Sequence, residues 1–155
     1  MKTIYIKSEV QRKTALGYIE DLPISPVHVV EIKEYKEPLS GRQRRLYFKW
    51  LEEIAKHRGE DYKELHLKYK EDYLINIFIR DDESFSAMYE TIREVYRKGM
   101  KTDAVLLRKW VVEHTSITDT DTKQMSEYMK CIEVEATMSG VSLTHPEEYD
   151  VNLGD

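Results

Sequence analysis

The sequence predicts an α+β fold in a single domain: a small N-terminal strand–helix–strand unit over residues 1–38, a mainly helical region over 39–150, and a frayed tail at 151–155. Three observations carry this. The runs Thr3-Ile4-Tyr5-Ile6-Lys7 and Val27-His28-Val29-Val30-Glu31-Ile32-Lys33-Glu34-Tyr35 are β-rich and flank a stretch with helical spacing. After Pro38 the apolar residues recur every three or four positions. Cap-type residues and glycines then punctuate the chain at intervals that suit successive helices.

The elements follow in order. Ala15, Leu16, Ile19 and Leu22 give Gln11–Leu22 a helical face, and Pro23 and Pro26 separate it from the second strand. Ser40, with Gln43 three residues on, fits a capping box that opens a helix. Leu46, Tyr47, Trp50, Leu51, Ile54 and Ala55 form its buried stripe, and Gly59 ends it. A further helix runs from about Asp61 into Tyr73–Ile79, where β-branched density blurs its end. Asp81-Asp82-Glu83-Ser84 caps another, with Phe85, Met88, Ile92, Val95 and Tyr96 on one face and Gly99 at its end. Val105–Thr115, rich in Val, Leu and Trp, is expected to be extended at least in part. Thr120 or Asp121 caps the last helix, whose Met125, Tyr128, Met129, Ile132 and Ala136 share a face before Gly140.

With 155 residues, 41% hydrophobic and 34% charged, the chain has enough apolar content for one compact core. Its longest uncharged stretch, Ala136–Pro146, is far short of the roughly 18–20 apolar residues of a membrane span. Nor does Met1–Lys7 hold the apolar core of a signal peptide, so a cytoplasmic protein is expected. The single cysteine, Cys131, permits no internal disulfide and reads as a packed thiol. Charge is polarised: residues 1–80 carry 16 Lys+Arg against 13 Asp+Glu, whereas 113–155 carry 2 against 10.

The most unusual segment is Leu39–Trp50, where Arg42, Arg44, Arg45 and Lys49 lie beside Tyr47, Phe48 and Trp50. On a helix Arg42, Arg45 and Lys49 fall on one stripe, the arrangement that neutralises successive phosphates, while exposed rings would offer stacking faces to bases. The competing reading is an amphipathic helix whose Tyr47 and Trp50 are core. Catalytic constellations are poor. The only dense carboxylate cluster, Asp81-Asp82-Glu83, sits where a helix cap belongs, and His57 and His66 lack partners at zinc-ligand spacing. No phosphate-binding glycine loop, dinucleotide turn or serine-nucleophile elbow occurs, so no cofactor or metal is implied.

Two segments together resemble a known group. Gln43-Arg44-Arg45-Leu46-Tyr47-Phe48-Lys49-Trp50-Leu51 resembles the Gln-Asn-Arg-x-x-Trp helix of the NinB/Orf family of phage recombination proteins. His114-Thr115-Ser116-Ile117, followed by Lys123–Met129, resembles its Ser-Thr-Ser segment and Glu-Met helix. Glu64-Leu65-His66, Lys68-Tyr69-Lys70 and His145–Tyr149 are also similar, so the likeness covers roughly residues 27–149. Arg44 stands where the family usually has Asn, and Gly41 where it has Leu. The resemblance implies a small, largely helical α/β protein that forms a homodimer, binds DNA with a preference for single strands, and has no known catalysis. It implies a recombination mediator that helps a recombinase onto DNA coated by single-stranded DNA-binding protein, in the host cytoplasm if phage-encoded. Arg42, Gln43, Arg44, Arg45 and Lys49 are then the candidate DNA contacts. Two other functions remain open: a Mg²⁺-dependent, structure-specific nuclease using Asp81, Asp82 and Glu83, and a protein-only adaptor whose acidic C-terminal third meets a basic partner.

Overall fold

The computed structural model describes residues 2–35 and 37–154. Helix accounts for 69% of the chain and no strand occurs among the described residues, which corrects the expected α+β class to an all-helical one. The chain divides into two compact units, Met1–Glu37 and Pro38–Asp155.

Among its described residues the first unit has one helix, α1 (Glu9–Glu20), with no buried residue. Lys2 Nζ lies 3.3 Å from the centroid of the Tyr18 ring, and Tyr5 meets Tyr35 edge to face at 5.0 Å. The expected strands over Thr3–Lys7 and Val27–Tyr35 run without a ladder. Alternation stabilises a strand only where a neighbour pairs its backbone and something covers one face. Here Val29 and Ile32 are each 89% exposed, so nothing rewards the pairing.

The second unit is built on α2 (Leu39–Arg58), whose predicted stripe from Leu46 to Ala55 is buried throughout. α2 packs on α7 (Thr122–Met138) through Met125, Tyr128, Met129, Ile132 and Ala136, the face the spacing predicts. Between them runs a continuous helical segment: α3 (Tyr62–Tyr69), a π turn (Lys70–Leu74) and α4 (Ile75–Asp81). The π turn adds a residue to the helical ladder and so rotates the face that follows it. This lets Leu65 and Tyr69 before the turn, and Ile77 and Phe78 after it, enter the same core.

α5 (Glu83–Arg97) and α6 (Lys101–His114) form a hairpin around a smaller cluster of Ile75, Ile92, Ala104, Val111 and Val112. Phe85 touches both clusters. The expectation of extended structure over Val105–Thr115 is therefore wrong. Its β-favouring residues yield to packing, because only a helix puts Ala104, Val111 and Val112 on one face against α5. Of the α5 stripe, Ile92 is buried, whereas Met88 and Tyr96 are exposed.

Local signals decide the helix ends. Asp121 and Gln124 form a reciprocal capping box at the start of α7. At its end Gly140 adopts φ +80°, with Gly140 N–H on the Thr137 carbonyl and Val141 N–H on the Ala136 carbonyl, while Val141 packs into the core. The box expected at Ser40 and Gln43 does not form. α2 begins two residues earlier, behind Pro38, and Gln43 is drawn into the interior. Val151, expected in a frayed tail, is 3% exposed: its N–H bonds to the Pro146 carbonyl and its side chain completes the core, with Leu153 packed beside it. Asp155 lies outside the described residues.

Candidate nucleic-acid interface

The five candidate residues of α2 separate into three fates. Gln43 is fully buried, donating through Nε2 to the Thr122 carbonyl at 3.0 Å and the Ser126 hydroxyl at 2.8 Å, so it joins α2 to α7 and no ligand reaches it. Arg42, Arg45 and Lys49 share a flank of the helix, as their spacing predicts. Two of them, however, meet the C-terminal turn Pro146–Tyr149 and its next residue. Arg42 donates to the Asp150 carbonyl, and the Arg45 guanidinium lies 5.3 Å from the Tyr149 ring centroid. Lys49 is exposed. Arg44 lies about 200° around the helix from Arg42, on the opposite flank. There it has no hydrogen-bond or ion-pair partner among the described residues.

That flank opens onto a groove of about 490 Å³. Arg44 and Phe48 of α2 line one side, His66 of α3 and Lys70 of the π turn its base, and Glu113–Thr118 the other side. Lys70 is only 4% exposed; its ammonium donates to the carbonyls of Thr115 at 2.8 Å and Glu113 at 3.5 Å. Burial lowers its pKa, with the Glu113 carboxylate opposing. His66 Nδ1 is 2.6 Å from the Tyr47 hydroxyl, which lies 3.1 Å from that of Tyr128. Burial, and then the Lys70 charge, bring the His66 pKa down to about 4, so its ring is neutral at pH 7. Burial raises the Tyr47 and Tyr128 phenols, which stay protonated.

Opposite, the Ser116 hydroxyl accepts from the Thr118 N–H at 3.1 Å and lies 2.8 Å from the Thr118 hydroxyl. His114 stacks on Trp110 with centroids 4.1 Å apart and planes 18° from parallel, and its Nδ1–H donates to the Trp110 carbonyl at 2.8 Å. The groove thus combines cations, neutral donors, hydroxyls and flat rings, the equipment that holds a phosphate and a base.

Two of the three carboxylates considered for a nuclease are otherwise engaged. Asp81 is gripped by Arg80 at 2.7 and 2.9 Å and receives Gln124 Nε2 at 3.1 Å; these bonds, the Arg80 pair foremost, hold its carboxyl at about 2. Asp82 caps α5, accepting from the Phe85 N–H at 3.0 Å. Glu83 lies in the exposed first turn of α5. Among the described residues no group of three or more His, Cys, Asp or Glu is placed to hold a metal ion. Trp50 is core: it is fully buried and its indole N–H donates to the Thr144 carbonyl at 2.7 Å. Burial raises the half-buried Cys131 thiol.

From sequence, Phe48 stood only among the rings beside the cationic stripe, His66 was weighed only as a metal ligand, Lys70 appeared only within the family-like segment, and Trp110 was given no role. The available signal was His66 and Lys70 at i and i+4 on one helix, which places both on one face. No helix among the described residues is long and apolar enough to cross a membrane. Compared with protein-family models, curated proteins and solved structures, the chain matches none.

Proposed function

We propose that the protein is a non-catalytic recombination mediator that binds DNA, prefers single strands, and assists loading of a recombinase on DNA coated by single-stranded DNA-binding protein. One observation carries the reading. The two segments that resemble the NinB/Orf family are separated by 62 residues, yet Arg44 and Phe48 of the first and His114–Ile117 of the second line the same groove. A groove with unpaired Arg44, buried Lys70 and adjacent rings suits a flexible strand whose phosphates and bases are both accessible.

The protein acts as a homodimer in this reading. Leu106 and Leu107 stand exposed on α6, and a second copy is the partner that covers them. Titration against single-stranded, duplex and gapped DNA at several salt concentrations tests the proposal, with Mg²⁺ or Mn²⁺ present in a parallel set. Tight, salt-sensitive binding of single strands without cleavage is expected. Cleavage lost in Asp82→Ala would establish a nuclease instead, and no retardation at low salt would favour a protein-only adaptor.

A further inference from the structure

The hydrogen-bond chain behind the groove fixes which ring nitrogen of His66 carries a proton. The Tyr128 hydroxyl is fully buried and its one hydrogen-bond partner among the described residues is the Tyr47 hydroxyl. If Tyr128 donates to Tyr47 and Tyr47 donates to His66 Nδ1, every proton in the chain meets an acceptor. In the reverse order the Tyr128 proton is stranded in the core, a costly arrangement. With Nδ1 accepting, the ring proton resides on Nε2. That nitrogen is the one the phenol leaves free, on a ring that lines the groove.

Two further donors line the same groove. Two carbonyls occupy Lys70, which leaves one of its three ammonium protons, and Lys70 has no ion pair among the described residues. Arg44 has no partner at all among them. The other titratable groups of the groove, Glu113 and His114, belong to α6. We propose that the groove holds one phosphoryl group of a nucleotide chain between the Arg44 guanidinium, the His66 Nε2–H and the Lys70 ammonium, with Tyr47 as the positioning residue that sets His66 to donate. This deepens the DNA-binding reading and rests on it for the polymer. The phosphoryl group is either an internal phosphodiester or a terminal phosphate.

The test uses the full chain. Oligothymidylate carrying a 5′-phosphate or a 5′-hydroxyl, and inorganic phosphate alone, are titrated while His66 ring resonances and binding are followed. The free protein should show the Nε2–H tautomer at pH 7. Either oligomer should move the His66 resonances and raise its ionisation from about 4. His66→Phe and Arg44→Gln should each weaken binding about tenfold or more, as the loss of a hydrogen bond to a charged group does. Arg44→Gln should melt as the wild type does, which separates binding from folding. Tyr47→Phe should shift the tautomer toward Nδ1–H, a change that loosened packing alone does not produce. Equal response to both oligomers identifies an internal phosphodiester, and response to the phosphorylated one alone a terminal phosphate. If the oligomers bind with His66 unmoved and both variants bind normally, the subsite is overturned and the DNA reading survives. If inorganic phosphate moves His66 but no oligomer binds, the subsite stands and the DNA reading falls. If nothing binds, both fall.

Discussion

Gln43 Nε2 sits 2.8 Å from the Ser126 hydroxyl, across the seam between α2 and α7, with every atom of the glutamine shut away from solvent. Its Oε1 is buried and has no partner among the described residues. Gln43→Ala should therefore destabilise the fold by about 1–3 kcal/mol, by removing the two buried hydrogen bonds that join α2 to α7 and leaving their space empty. Gln43→Met, which refills the space and removes the orphaned oxygen, should cost less. Urea midpoints compare the two, and an Ala variant as stable as wild type would sink the idea.

Gly140→Val tests the end of α7. At φ +80° a β-branched residue is strained although nothing obstructs its Cβ, so a loss of about 1 kcal/mol or more is expected. An unchanged melting temperature would contradict the left-handed cap.

Trp50→Ala should cost about 3–5 kcal/mol of stability, the usual penalty for emptying a large buried site. Whatever remains folded should bind DNA almost normally. Loss of binding with full stability would make Trp50 part of the proposed DNA-binding surface.

The dependence of binding on salt should separate the arginines. For single strands each phosphate contact contributes a log–log slope of about −0.7, so Arg44→Gln and Lys49→Ala should each flatten it by about that amount. Arg42→Ala should act on stability instead, because Arg42 anchors the Asp150 carbonyl. A flattened slope in Arg42→Ala with unchanged melting would reverse these roles.

His66 also leaves a mark on stability against pH. Unfolded, its imidazole protonates near 6.5, and folded only near 4. Between these values the unfolded chain holds more protons, so stability should fall as pH drops from about 6.5 toward 4. In His66→Phe that part of the decline should vanish. Denaturation midpoints across this range decide it.

The central packing was legible because α2 and α7 carry apolar residues at strict helical spacing, and one core buries both stripes. What was not legible depended on partners remote in sequence. Val27–Tyr35 has the residue types of a strand but no neighbour to pair with, and Val105–Thr115 has them too but lies against α5. Gln43 fitted a capping box by spacing, yet the seam with α7 claimed it. The cationic stripe was correct as helix geometry. Its use was not readable, since Asp150 lies 108 positions from Arg42. The groove was hidden for the same reason: His66 and Lys70 acquire meaning only when Glu113–Thr118 returns above them.

The separate cluster under the α5–α6 hairpin has a consequence for motion. Phe85 packs on both cores, the two Lys70 bonds to the Glu113 and Thr115 carbonyls pin the far end of α6, and Arg108 pairs with Glu71 of the π turn at 3.0 Å. A unit with its own small core and few ties opens at lower free energy than the rest of a domain. Native-state hydrogen exchange should show α6 amides exchanging through such partial opening, while α2 and α7 amides wait for global unfolding. Because the end of α6 forms one wall of the groove, each opening also unroofs it, and a strand with no free end could then enter from the side.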